Sequence, residues 1–204
     1  MLYPALVFFN LIAMRICVYC ASSSKVDNKY FEATKVLAKD FVSKDVTIIY
    51  GGGSYGLMGC LADTALEHGG RVIGILPRFM EKVEWGHKNL TQLVLVKDMH
   101  ERKKLLIQDV DAVVALPGGC GTLEELMEVI TLKRLGKFTK PIVILNTDNF
   151  YYHLKEMLQK MIDERFMRNE HNAIWQFVNN PEDVIPAILN APHWDSDAIN
   201  FAAV

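Results

Sequence analysis

The feature that most constrains this chain is the recurrence of short apolar runs with no alternation. Val46-Thr47-Ile48-Ile49-Tyr50 and Ala112-Val113-Val114-Ala115-Leu116 lack the in-and-out pattern of a strand with one wet face. Such runs suit strands covered by helices on both sides, the usual environment of a parallel sheet. Helix-length amphipathic segments lie between them, and this alternation predicts an α/β fold: a Rossmann-like, doubly wound, mostly parallel sheet. Strands are expected at 15–20, 46–50, 71–76, 92–96, 112–116 and 141–145, and helices near 28–42, 57–68, 99–109, 123–135 and 150–164. Beyond Arg165 the pattern weakens to a short strand within 173–178, a last helix over 181–189 and a loose tail past Pro192. One catalytic domain over 15–190 is expected, preceded by an apolar extension at 1–14 and followed by a tail at 191–204.

A chain of 204 residues buries roughly 70% of the surface its unfolded form exposes, so a core is available. Lys and Arg number 22 against 24 Asp and Glu, a net charge of −2. That balance gives no global basic field, so a nucleic-acid partner is not expected and any bound anion must be gripped locally. The apolar run Met1–Met14 is interrupted by Pro4 and Asn10 and is shorter than the ~20 residues of a membrane helix. Its first cation, Arg15, follows the run, whereas a secretory signal carries its basic region before it. The expectations are no membrane partner and either a native extension packed on the domain or translation from upstream of a start at Met14. Cys17-x-x-Cys20 looks like a metal or redox pair, but residues three apart on a strand point to opposite faces. Free thiols in a reducing, cytoplasmic compartment and no metal are expected.

Ligands of doubly wound sheets bind at the carboxyl ends of the strands, and two expected strand ends carry glycine clusters. The first, Gly51-Gly52-Gly53-Ser54-Tyr55-Gly56, has the spacing of a dinucleotide fingerprint. It departs from one by following the second strand, and the next strand ends on Arg78 where an acidic ribose ligand is required. Neither cluster carries the Gly-Lys-Ser/Thr of a phosphate-loop triphosphatase. The second, Pro117-Gly118-Gly119-Cys120-Gly121-Thr122, opens a helix whose free amides suit a monophosphate. Gly52 and Gly53 are candidates for the same ligand. Thr122-x-x-Glu125 also fits a capping box, which would make Glu125 structural. A third element, Met99-His100-Glu101-Arg102-Lys103-Lys104, sets cations near a helix start, where they suit either an anionic ligand or a solvated face. The stretch 77–91 lacks periodicity and carries Arg78, Glu81, Glu84 and His87, as functional loops often do.

Gly51–Gly59 (GGGSYGLMG), Met99–Lys103 (MHERK) and Pro117–Glu125 (PGGCGTLEE) occur together and in order. The set resembles the LONELY GUY (LOG) family of cytokinin-activating nucleoside 5′-monophosphate phosphoribohydrolases, often labelled lysine decarboxylases. The resemblance implies hydrolysis of the N-glycosidic bond of a purine nucleoside monophosphate, cytokinin-type or AMP, to free base and ribose 5-phosphate, with no cofactor. It implies Arg102 and Glu125 as the catalytic pair, with Glu84, Lys103, Gly119, Gly121, Thr122 and Thr131 against the nucleotide, and a homodimer with sites near its interface. Physically, glycosidic cleavage builds positive charge on the ribose, which a fixed carboxylate at Glu125 would stabilise. Phosphate held at the loop from Gly118 to Thr122 would position the sugar. A pyridoxal-phosphate decarboxylase needs a lysine and a ring-nitrogen partner, for which no motif is present. The competing expectation is a noncatalytic nucleotide or cofactor carrier with similar glycine loops.

Overall fold

The computed structural model describes residues 14–81 and 86–202; the apolar run before Met14 and the expected ligand Glu84 lie outside them. In chain order the elements are β1 (Arg15–Tyr19), α1 (Asn28–Ser43), β2 (Thr47–Tyr50), α2 (Gly56–Glu67), β3 (Arg71–Pro77), α3 (Arg78–Glu81), β4 (Gln92–Val96) and α4 (Met99–Leu106). There follow β5 (Ala112–Ala115), α5 (Cys120–Arg134), β6 (Ile142–Leu145), α6 (Tyr152–Asp163), β7 (Gln176–Val178) and α7 (Val184–Leu189). The strands form one sheet in the order β4-β3-β2-β1-β5-β6-β7, every pair parallel. This is the expected Rossmann-like, doubly wound architecture.

Both faces of the central strands are buried, which is why their sequences do not alternate. Ile16, Val18 and Cys20 join the core under α1, α2 and α7, with Leu37, Phe41, Leu61 and Ile185. Cys17 and Tyr19 point into the opposite core under α4, α5 and α6, with Leu106, Leu126, Val129 and Leu158. The Cys17-x-x-Cys20 pair is thereby split between two layers, and all four cysteines are free thiols. The chain winds outward from β1 through β4, then crosses back to β5 on the other side of β1. At that reversal the segments leaving β1 and β5 diverge, opening a crevice at their carboxyl ends.

Past Pro192 the structure differs from the loose tail expected. Trp194 and Ala198 are buried in the core beneath α5, and the Trp194 indole donates a 2.7 Å hydrogen bond to the carbonyl of Lys133. Gly136, with φ +66°, admits this segment, since a β-carbon there would lie 2.0 Å from the carbonyl oxygen of Ser196. One tryptophan and two small residues among polar ones carry no periodicity, so the docking shows only in three dimensions.

Candidate active site

At the crevice lies a cavity of about 410 Å³. Tyr19, Arg102, Thr122 and Glu125 line it together with the backbone of Gly53, Gly119 and Gly121, while Tyr55, Met58, Met80 and Met99 add apolar surface. Charged and apolar groups therefore meet in one recess, the usual make-up of a small-molecule site.

The two glycine clusters serve different ends. In the first, close approach is to protein. A β-carbon on Gly51 would lie 2.2 Å from Nη2 of Arg102, and one on Gly56 (φ +61°) 2.4 Å from the carbonyl carbon of Ser22. The amide of Met58, in the first turn of α2, donates to the carbonyl of Ala21. The segment leaving β1 thus takes up one of the amides at this helix end. In the second cluster, β-carbons on Gly119 and Gly121 would meet nothing within 4 Å. The first bond along α5 runs from the amide of Leu123 to the carbonyl of Gly119, leaving the amides of Cys120, Gly121 and Thr122 at the open end. A long helix thus presents its positive pole to the cavity.

The capping-box reading of Thr122 is corrected by this geometry. Gly119 occupies the cap position with no side-chain bond, so α5 begins earlier than the expected Leu123. Thr122 is buried beneath Gly118, whose β-carbon would lie 2.1 Å from its hydroxyl oxygen. Glu125 turns inward, its Oε1 3.4 Å from Nη1 of Arg102, with only 11% of its side chain exposed. Burial raises its pKa above the ordinary carboxylate value, and the Arg102 guanidinium opposes that rise. Arg102 is itself buried and donates from Nε to the carbonyl of Ile75 at 3.2 Å. It sits on a helix started firmly by Asp98, which accepts from the amide of Glu101.

A family profile described as possible lysine decarboxylase matches residues 58–188. An Arabidopsis thaliana protein named cytokinin riboside 5'-monophosphate phosphoribohydrolase LOG5 is 39% identical over 84% of this chain and 75% of its own length. LOG1 of the same plant is 34% identical over 92% of this chain and 93% of its own. The chain belongs to the LOG family. The fold reaches beyond it: the molybdenum cofactor carrier protein of Chlamydomonas reinhardtii superposes with a TM-score of 0.67 at 18% identity, over 88% of this chain and 98% of that one.

Of the LOG-motif residues singled out from sequence, Arg102, Glu125, Gly53, Gly119, Gly121 and Thr122 are brought to the cavity. Gly52 and Gly118 lie in the same loops without lining it. Gly52, with φ +80°, shapes its turn. Lys103 is turned to Glu124 and Glu128. Thr131 lies farther along α5, exposed, in a separate depression with Met127, Met157, Met161 and Phe166. Ser22, Ser23 and Ser54 line the cavity and were not singled out, although the serine run after the first strand sits at a strand's carboxyl end. Tyr151 was also missed: its buried phenol donates a 2.6 Å bond to the carbonyl of Leu116, fixing the strand end from which the second glycine loop departs.

Proposed function

We propose that this chain hydrolyses the N-glycosidic bond of purine nucleoside 5′-monophosphates, cytokinin-type or AMP, releasing the free base and ribose 5-phosphate without a cofactor. The observation that carries the reading is the buried Arg102–Glu125 pair set beside the open amino end of α5. The amides of Cys120, Gly121 and Thr122 take the phosphate, and the unfilled space at Gly119 and Gly121 lets it come close. Phosphate binding energy then places the anomeric carbon against Glu125, whose carboxylate stabilises the positive charge that develops on the ribose and orients the attacking water. Arg102 holds that carboxylate in place and keeps it ionised in a buried setting.

The reading includes a cytoplasmic homodimer. Four free thiols suit a reducing compartment. An apolar face on α5, α6 and the turn after α6, with Phe166 73% and Met157 53% exposed, suits a second copy of the chain. Thr131 lies in that face, so the nucleotide contact expected of it would be made across the interface. The expected contact of Glu84 is proposed from its motif position.

Incubation of the purified protein with nucleoside 5′-monophosphates, nucleosides and triphosphates, followed by chromatography of released base, tests the reading. Monophosphates should be cleaved in strong preference, and Glu125→Gln should lower turnover by about two orders of magnitude or more. Equal cleavage of nucleosides would defeat the phosphate anchor, and tight nucleotide binding without release of base would establish a carrier.

A further inference from the structure

Three carboxylates crowd one stretch of α5: Glu124, Glu125 and Glu128. Carboxylates one and three residues apart on a helix repel, and each disfavours the ionisation of the others. Glu125 is the buried member and the one that has to carry a negative charge. From α4, Lys103 reaches the outer two, its ammonium 2.6 Å from Glu124 and 3.1 Å from Glu128, with its side chain only 20% exposed. Glu124 borders the cavity beside Glu125, whereas Lys103 and Glu128 do not line it.

We propose that Lys103 is a positioning residue that neutralises Glu124 and Glu128 so that Glu125 stays ionised at the reacting sugar. This inference rests on the phosphoribohydrolase reading for its consequence, though not for its geometry. It assigns the two neighbouring cations of the Arg102-Lys103 pair separate tasks: Arg102 meets Glu125 directly, and Lys103 removes the field of its neighbours. The other titratable groups coupled to Glu125 are Cys17 and Tyr19 on β1 and Cys20 just past its end. Burial raises all three, so they stay uncharged at neutral pH and supply no counter-charge. Burial and both outer glutamates push the Glu125 carboxyl upward while Arg102 and Lys103 pull it down.

The test is carbon-13 NMR titration of glutamate carboxyls in the full chain, with the Glu125 signal assigned by its loss in Glu125→Gln. Lys103→Met should raise the Glu125 midpoint by about one pH unit, and Lys103→Arg should restore it. Glu124→Gln/Glu128→Gln, which keeps Lys103 and removes its partners, should lower the midpoint and decides the matter if Lys103→Met does not fold. The acid limb of kcat/KM should move with the midpoint while KM for AMP at pH 8 stays within about twofold. A midpoint unmoved in these variants overturns the proposal, as does a tenfold rise in KM at constant midpoint, which would make Lys103 a nucleotide ligand. Because the titration needs no turnover, it reads the charge network even if the wild-type protein releases no base, a result that would sink only the functional reading.

Discussion

At the scale of single residues, the site depends on a glycine whose missing side chain makes room for Arg102. Gly51 opens the glycine run directly after β2, and the space its missing side chain leaves is filled by the Arg102 guanidinium. The backbone there does not require positive φ, so alanine adopts it without strain and the flexible end of Arg102 is what must move. Gly51→Ala is therefore expected to leave the melting temperature nearly unchanged while lowering kcat/KM by about 10²-fold through misplacement of Arg102. Steady-state kinetics beside calorimetry checks this, and full activity would mean that Arg102 has a second productive position. The raised Glu125 carboxyl also fixes the sign of the pH response. The ionised form is required, so activity should fall as pH drops through a midpoint above the ordinary glutamate value, visible in a kcat/KM profile. An acid limb at the ordinary value would show that Glu125 is better solvated than its burial implies.

The two ends of one element, α5, do different work. Its amino end is open to the cavity, whereas its carboxyl end is sealed by the segment carrying Trp194. That seal buries Lys133, whose ammonium donates to the carbonyl of Lys140 at 2.9 Å and lies 5.8 Å from the Trp194 ring centre, with no carboxylate paired to it among the described residues. Loss of hydration pushes its pKa down to about 8. The folded protein thus binds this proton less tightly than the unfolded chain, so between about pH 8 and the ordinary lysine value unfolding takes up protons and stability rises with pH. Below that window the penalty is fully present, on the order of 3 kcal/mol. Lys133→Met should be more stable than wild type at pH 7, and the gap should close toward pH 10 in urea-denaturation midpoints. A gap independent of pH would show that Lys133 is hydrated in the fold.

For the whole molecule, the parallel sheet decides where chemistry can occur and the helices decide what is left uncovered. Reversal of strand order at β1 and β5 opens one crevice, while α5 and α6 leave a depression of about 420 Å³ lined by Met127, Thr131, Met157, Met161 and Phe166. If that face joins two copies, Met157→Glu with Phe166→Glu places two desolvated charges in the interface and should yield monomer in analytical ultracentrifugation, where wild type sediments as a dimer. A double variant that stays dimeric would place the interface elsewhere.

Much of this was legible in the chain itself. Unbroken apolar runs such as 112–116 fixed a sheet covered on both faces, because burial on two sides leaves no polar positions to alternate. The motif residues Gly119, Gly121, Arg102 and Glu125 are legible in sequence and line one cavity, the glycines just past β5 and the charged pair on α4 and α5. Three matters were settled only by tertiary contacts between residues far apart in sequence. The first glycine loop closes on Arg102 and Ser22, while the second stays open. Lys103 turns to Glu124 and Glu128 across the gap between two helices. The segment around Trp194 docks under α5. Local sequence encodes periodicity and turn chemistry; which glycine faces a ligand, and which cation a carboxylate, depends on what the folded chain has already brought alongside.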